Sequence, residues 1–221
     1  MTATRSAAAQ KLHDCMATLP LIAILRGVQS DEIEDIADAL VGAGFTLIEV
    51  PLNSPDPLAS IARLRRYLHA RNKSHVIVGA GTVMSVTDVH AVKDAGGEII
   101  VMPHCDLQVV HAAIDADMVV LPGVATPTEA FAALKNGADG LKIFPAEMMG
   151  PQGLKALRAV LPKGTQVYAV GGAGADNFAE WMNASADGFG IGSAIYKPGR
   201  TVDEVAQTAA DIVAAYDAAT Q

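Results

Sequence analysis

Two charged residues fall where burial disfavours charge, and they are the first candidates for chemistry. Lys142 lies in "GLKIFPA" (140–146), among Leu141, Ile143, Phe144 and Pro145, the apolar residues of a strand covered on both faces. Glu49 lies in "LIEVPL", apolar on either side of it. Desolvation disfavours an ammonium, and so does a nearby cation such as Arg26. The pKa drops and leaves a neutral amine able to attack a carbonyl and form a Schiff base. A buried carboxylate is pushed toward neutrality from the other side, which suits a group that passes protons back and forth. One amine nucleophile and one carboxyl proton shuttle are the minimum set for imine chemistry. The structural alternative is that Lys142 snorkels to solvent, or that the two residues pair as a buried ion pair. On the residues alone both readings stand.

Further polar residues follow other apolar runs. Arg26 ends "PLIAILR", where a guanidinium either caps a strand or grips a carboxylate or phosphate through two parallel hydrogen bonds. Thr82, in "GAGT", offers a hydroxyl and a backbone amide beside glycines that let a ligand approach. "VGGAG" (170–174) and "GIGSA" (190–194) make Gly171, Gly172, Gly192 and Ser193 candidates for a phosphate site built from backbone amides and a helix amino terminus. Tight turns alone also call for glycine. His104, Cys105 and Asp106 in "PHCD" are adjacent, and consecutive side chains rarely converge on one ion, so no metal site is read there. Trp181 and Phe178 read as packing residues of a helix.

The elements that must carry these residues form a recurrent unit. Short aliphatic or β-branched runs cover 20–26, 46–52, 75–81, 98–103, 118–123, 140–146, 165–172 and 188–194, with starts 20 to 29 residues apart. Ala-rich amphipathic segments lie between them, such as "SDEIEDIADALVGAG", "TPTEAFAALKNGA" and "GPQGLKALRAVLP", with Ser, Asp or Thr near their starts and Gly near their ends. Runs apolar at successive positions are what parallel strands buried on both faces require. Eight such strands alternating with helices predict an α/β fold, a (β/α)8 TIM barrel, as a single domain over residues 1–221. An extra amino-terminal helix over "TRSAAAQKLHDCMATL" (4–19) is expected to close the barrel bottom. A doubly wound open sheet is the rival, but no GxGxxG turn follows the first run. In a barrel of this kind chemistry belongs at the carboxyl ends of the strands, where the candidate residues fall.

Composition narrows the partners. Hydrophobic residues make up 51% and charged residues 18%, with a net charge of −8 and 16 Lys and Arg that form no run. Neither nucleic acid nor an anionic membrane has a docking surface in such a sequence, so an anionic partner is expected to be a small molecule held locally. Cys15 and Cys105 read as reduced thiols. "LPLIAIL" is too short to span a bilayer, and the amino terminus lacks the apolar core of a signal peptide; a cytoplasmic protein is expected.

Taken together, "PLIAILRG", "GFTLIEVPLNSP", "VIVGAGTV", "GLKIFPAEMMGPQGLKALRAVLP", "AVGGAGADN" and "GIGSAIY" resemble the class I 2-keto-3-deoxy-6-phospho-aldonate aldolases. The resemblance runs from about residue 19 to 196, and these motifs touch six of the eight runs. "EVPLNSP" looks like the galactonate branch of that family; the gluconate branch tends to carry "EVTLRT". The resemblance implies a homotrimer that cleaves a phosphorylated keto-deoxy sugar acid to pyruvate and glyceraldehyde 3-phosphate without a cofactor. Carried over by position, it makes Lys142 the Schiff-base lysine and Glu49 the proton shuttle. Arg26 and Thr82 become substrate contacts, and Gly172 and Ser193 phosphate contacts. Val170 stands where gluconate-type relatives commonly have Thr, which makes it the expected reader of the substrate's C4 hydroxyl. "MPHCD" departs from the family pattern, and no role carries over to His104. A metal-dependent or isomerising sugar-phosphate barrel and a non-catalytic phosphosugar-binding barrel are the rival functions.

Overall fold

A computed structural model describes residues 6–221; Thr4 and Arg5 of the expected first helix lie outside them. In chain order the elements are α1 (Ala7–Thr18), β1 (Leu21–Ile24), α2 (Ile33–Gly42), β2 (Leu47–Pro51), α3 (Pro57–Ala70), β3 (Ile77–Gly81), α4 (Val86–Asp94), β4 (Ile99–Val101), α5 (Leu107–Asp115), β5 (Val119–Leu121), β6 (Gly123–Val124), α6 (Pro127–Lys135), β7 (Leu141–Ile143), α7 (Ala146–Arg158), β8 (Val167–Val170), α8 (Phe178–Asn183), β9 (Gly188–Ile191) and α9 (Val202–Ala219). The strands form one sheet in the order β5-β4-β3-β2-β1-β9-β8-β7-β6, and neighbouring strands are parallel.

The two ends of that order, β5 and β6, are consecutive in the chain and separated only by Pro122. Proline has no N–H for the ladder, so the run "MVVLPG" divides there into two short strands, giving nine strands where eight runs were expected. β5 pairs with β4 and β6 with β7, and the Pro122 carbonyl accepts from the Lys142 amide at 2.9 Å. The sheet thus meets itself as a nearly closed α/β barrel.

Side chains alternate between two apolar environments, which explains why the strand sequences are hydrophobic at successive positions. Ala23, Ile48, Val78, Ile100, Val120, Ile143 and Ala169 face outward into one core with helix residues such as Ile36, Leu40, Val89, Val110 and Leu154. Ile22, Leu47, Ile77, Ile99, Val119, Leu121 and Tyr168 face inward, where Leu12, Cys15 and Met16 of α1 pack against them. α1 therefore covers one end of the barrel interior. By the same alternation the next inward positions toward the other end are Ile24, Glu49, Gly79, Gly81, Lys142, Val170 and Gly190.

Local signals set the helices. Thr126 and Glu129 form a reciprocal capping box at α6, as do Thr201 and Glu204 at α9. α7 is broken at Gly150, whose φ of 67° is non-helical, with Pro151 starting the second part where a missing N–H does no harm. Arg158 at its end ties the lower strand ends together. Its Nε and Nη1 donate to the carbonyls of Ser185 (2.7 Å) and Thr165 (2.6 Å), and Nη2 pairs with Asp187. No helix among the described residues is long and apolar enough to cross a membrane.

Candidate active site

Glu49 and Lys142 project into the barrel from opposite walls. Counting β5 and β6 as one interrupted strand, three strands separate β2 from β7 in either direction. Lys142 is 6% exposed and Glu49 only 2%. Among the described residues no ion pair or hydrogen bond joins them, and Glu49 Oε2 is buried without a hydrogen-bond partner. The buried ion pair that would have made both residues structural is not formed.

Their environments move both groups toward neutrality. Burial lowers the Lys142 pKa from 10.5, and Arg26 lowers it further, while the field of Glu49 opposes them. Burial raises Glu49 from 4.5 to about 7 against the opposing fields of Lys142 and Arg26. Lys142 Nζ also lies 4.3 Å from the centroid of the Phe144 ring, whose face attracts a cation and also receives an amine N–H. Space for the Glu49 carboxylate comes from β3: a Cβ on Gly81 would collide with Oε2 and Cδ of Glu49. The glycine in "GAGT" thus makes room for the carboxyl group, a role the sequence reading gave to an approaching ligand. Thr82, the next residue, has φ of 57°, a left-handed conformation rare for a β-branched side chain. Such strain clusters at functional sites.

Above this pair lies a cavity of about 650 Å³. Arg26, Val170, Gly171, Gly172, Gly192 and Ser193 all line it. Lys142, Glu49 and Thr82 do not, but Phe144, the ring beneath Lys142 Nζ, does. Six of the nine candidates thus share one cavity, the amine and carboxyl group lie in the barrel interior next to it, and Thr82 stands apart.

Several residues that build the cavity escaped the sequence reading. Asn177 shapes the loop after β8: its Oδ1 accepts from the Gly174 amide at 3.0 Å and its Nδ2 donates to the Gly172 carbonyl at 2.8 Å. The loop needs glycine at 172, where φ is 78° and a Cβ would sit 2.7 Å from Glu147 Cβ. After β9, the Gly192 carbonyl accepts from the amides of Ile195 (2.9 Å) and Tyr196 (3.1 Å), which leaves Ser193 and Ala194 at the open amino end of a single turn. Tyr196 OH donates to Glu32, tying this turn to the segment after β1. An asparagine a few residues past a glycine pair was the available signal for the first loop; nothing local signals the second contact. The "PHCD" residues do structural work: Asp106 caps α5 by accepting from the Gln108 amide at 2.8 Å, and Cys105 Sγ donates to the Glu129 carbonyl.

A parallel α/β barrel with a buried amine and carboxyl group beneath a glycine-lined cavity has known counterparts. The family model for KDPG and KHG aldolases matches residues 12–209. A Rhizobium meliloti protein named as a probable 2-dehydro-3-deoxy-6-phosphogalactonate aldolase is 46% identical over 90% of this chain and 92% of its own. The Escherichia coli 2-dehydro-3-deoxy-6-phosphogalactonate aldolase is 45% identical over 92% of this chain and 97% of its own. A solved structure described as native KDPGal superposes with a TM-score of 0.88 at 44% identity, covering 92% of this chain and 97% of that one. The chain belongs to the KDPG and KHG aldolase family, and is an aldolase by that membership.

The raised Glu49 pKa has a consequence for stability. The native state holds this proton more tightly than the unfolded chain does. Its contribution is therefore fully present below pH 4.5 and is lost as pH rises through about 7. Across that window the loss is about 3 kcal/mol, because each tenfold difference in proton affinity is worth roughly 1.4 kcal/mol. Glu49→Gln should flatten the dependence and be more stable than the wild type at pH 8, as read by denaturant unfolding at several pH values. An unchanged slope in the variant would assign the dependence to another group.

Proposed function

We propose that this chain is a Schiff-base aldolase that cleaves 2-dehydro-3-deoxy-6-phosphogalactonate to pyruvate and glyceraldehyde 3-phosphate. The observation that carries the reading is Lys142, a buried amine whose carboxylate neighbour does not bond it, beneath a cavity lined by glycine loops. Neutral Lys142 adds to the C2 ketone, and loss of water gives an iminium. Glu49, through a water, takes the proton of the C4 hydroxyl; the C3–C4 bond breaks, its electrons flow into the iminium, and the phosphorylated aldehyde leaves. The remaining enamine is protonated at C3 by Glu49, and water then hydrolyses the iminium to return the amine and free pyruvate. A carboxyl group near pH 7 in its titration serves both directions of proton transfer. The iminium is the electron sink, so the cycle needs no cofactor.

The substrate's far end is assigned to Gly171, Gly172, Gly192 and Ser193, whose loops offer amides and a hydroxyl to a phosphate. Arg26 is assigned to an anionic group of the substrate, and Thr82 to a substrate contact on the resemblance alone. The same resemblance supports a homotrimer in the cytoplasm, working as one barrel domain over residues 1–221. Treatment with pyruvate and borohydride should add one reduced pyruvyl unit at Lys142. An adduct mapped to Lys135 or Lys155, or none, would overturn the assignment of Lys142 as the Schiff-base lysine.

Val170 supports the galacto assignment. It ends β8, lines the cavity, and sits against Gly190, where a Cβ would come within 2.7 Å of Val170 Cγ2. The gluco and galacto substrates differ only at C4, so discrimination falls to groups near that hydroxyl. Valine matches threonine in shape but offers no hydrogen bond, leaving a hydroxyl directed at it unpaired at a cost of about 1–3 kcal/mol. The galacto epimer should therefore be favoured about tenfold or more in kcat/KM, and Val170→Thr should narrow the gap by improving the gluco reaction. Assays of both epimers with both proteins check this; an unaltered ratio would place the discriminating contact elsewhere.

A further inference from the structure

We infer that Asn53 is a positioning residue for Arg26: it holds the guanidinium through a neutral amide, aiming the cation at the cavity while leaving its charge available to an anionic group of the substrate. The inference rests on the aldolase reading above.

β1 and β2 lie side by side with Ile24 opposite Glu49, so the segments that follow them emerge together. Arg26 Nη1 donates to Asn53 Oδ1 at 2.6 Å, and the Gly27 amide donates to Ser54 Oγ at 2.9 Å. Ser54 is buried, and its own amide donates to the Pro51 carbonyl at 2.9 Å, which anchors the receiving side in β2. Gly27 is fixed from a third direction: φ is 84°, and a Cβ would fall 2.7 Å from Pro198 Cγ. The backbone beside Arg26 is thus held by Ser54 and its side chain by Asn53.

Arg63, Arg65 and Arg158 each pair with a carboxylate. Arg26, Arg66, Arg71 and Arg200 form no ion pair among the described residues, and of these four Arg26 alone lines the cavity. A guanidinium has only donors, so it forces the Asn53 amide to turn its oxygen inward and to keep its NH2 as a further donor. An amide oxygen fixes direction and cancels no charge, whereas a carboxylate in that place would satisfy the fork with a full counter-charge.

Asn53→Asp and Asn53→Ala separate these effects, because aspartate keeps the acceptor and adds charge while alanine removes the acceptor. If Asn53 only braced the loop, aspartate would be the milder change. If it preserves a usable cation, Asn53→Asp should raise KM for the phosphorylated keto-deoxy acid by about tenfold, more than Asn53→Ala, with kcat altered less than about threefold. In an Arg26→Gln background, Asn53→Asp should cost less than about threefold, since no cation remains to cancel. Pyruvate trapping at Lys142, at saturating pyruvate, should persist in Asn53→Asp and Asn53→Ala. Trapping intact with Asn53→Asp no worse than Asn53→Ala, or equally harmful without Arg26, overturns the role of Asn53 alone. Absence of trapping in the wild type overturns the aldolase reading and the role of Asn53 with it.

Discussion

Two opposite charges that share a barrel without bonding are the constraint on which the rest of this structure depends. An ammonium and a carboxylate free to meet in an apolar interior would pair, since their attraction strengthens as water is removed. A paired lysine is protonated and cannot attack a carbonyl. Placing Lys142 on β7 and Glu49 on β2 sets them on opposite walls, where each feels the other's field but neither bonds it. Burial then wins over mutual attraction: the lysine moves down and the carboxyl group moves up.

Much of the surrounding architecture keeps that balance. Gly81 leaves the carboxyl group room on its own side of the barrel, and Phe144 lies against the amine. Below them, Tyr168 and the apolar inward residues pack against α1, so Lys142 and Glu49 rest on a buried, largely apolar layer. Arg26 contributes at a distance, since its charge lowers the pKa of both interior groups, favouring the neutral amine while opposing protonation of Glu49. Strands therefore hold the buried pair, while the loops after β1, β8 and β9 line the cavity. In the proposed reaction the rigid elements fix the chemistry and the glycine-rich loops fit the anion.

Lys142 and Glu49 were legible in the sequence because parallel strands buried on both faces make any charge conspicuous. The eight apolar runs marked the strands for the same reason, and the glycine pair at 171 and 172 marked a loop that the structure holds in positive φ. What escaped was contact between distant segments. Tyr196 and Glu32 are 164 positions apart, and Arg26 and Asn53 are 27 apart in different loops. No periodicity links such pairs. The break at Pro122 and the division of α7 at Gly150 were written in residue type, but each lay inside a stretch whose hydrophobic pattern pointed to one continuous element. Gly81 misled more subtly: its lack of a side chain was evident, while the group that needs the space belongs to β2.

The central claim is that Lys142 is held neutral by its setting, and its ionisation can be followed directly. The 13Cε and 15Nζ resonances of Lys142 would be recorded against pH and assigned by their loss in Lys142→Met. A midpoint well below 10.5 is the expected result. A midpoint at or above 10.5 would mean a stabilised ammonium, and would contradict a neutral amine as the nucleophile.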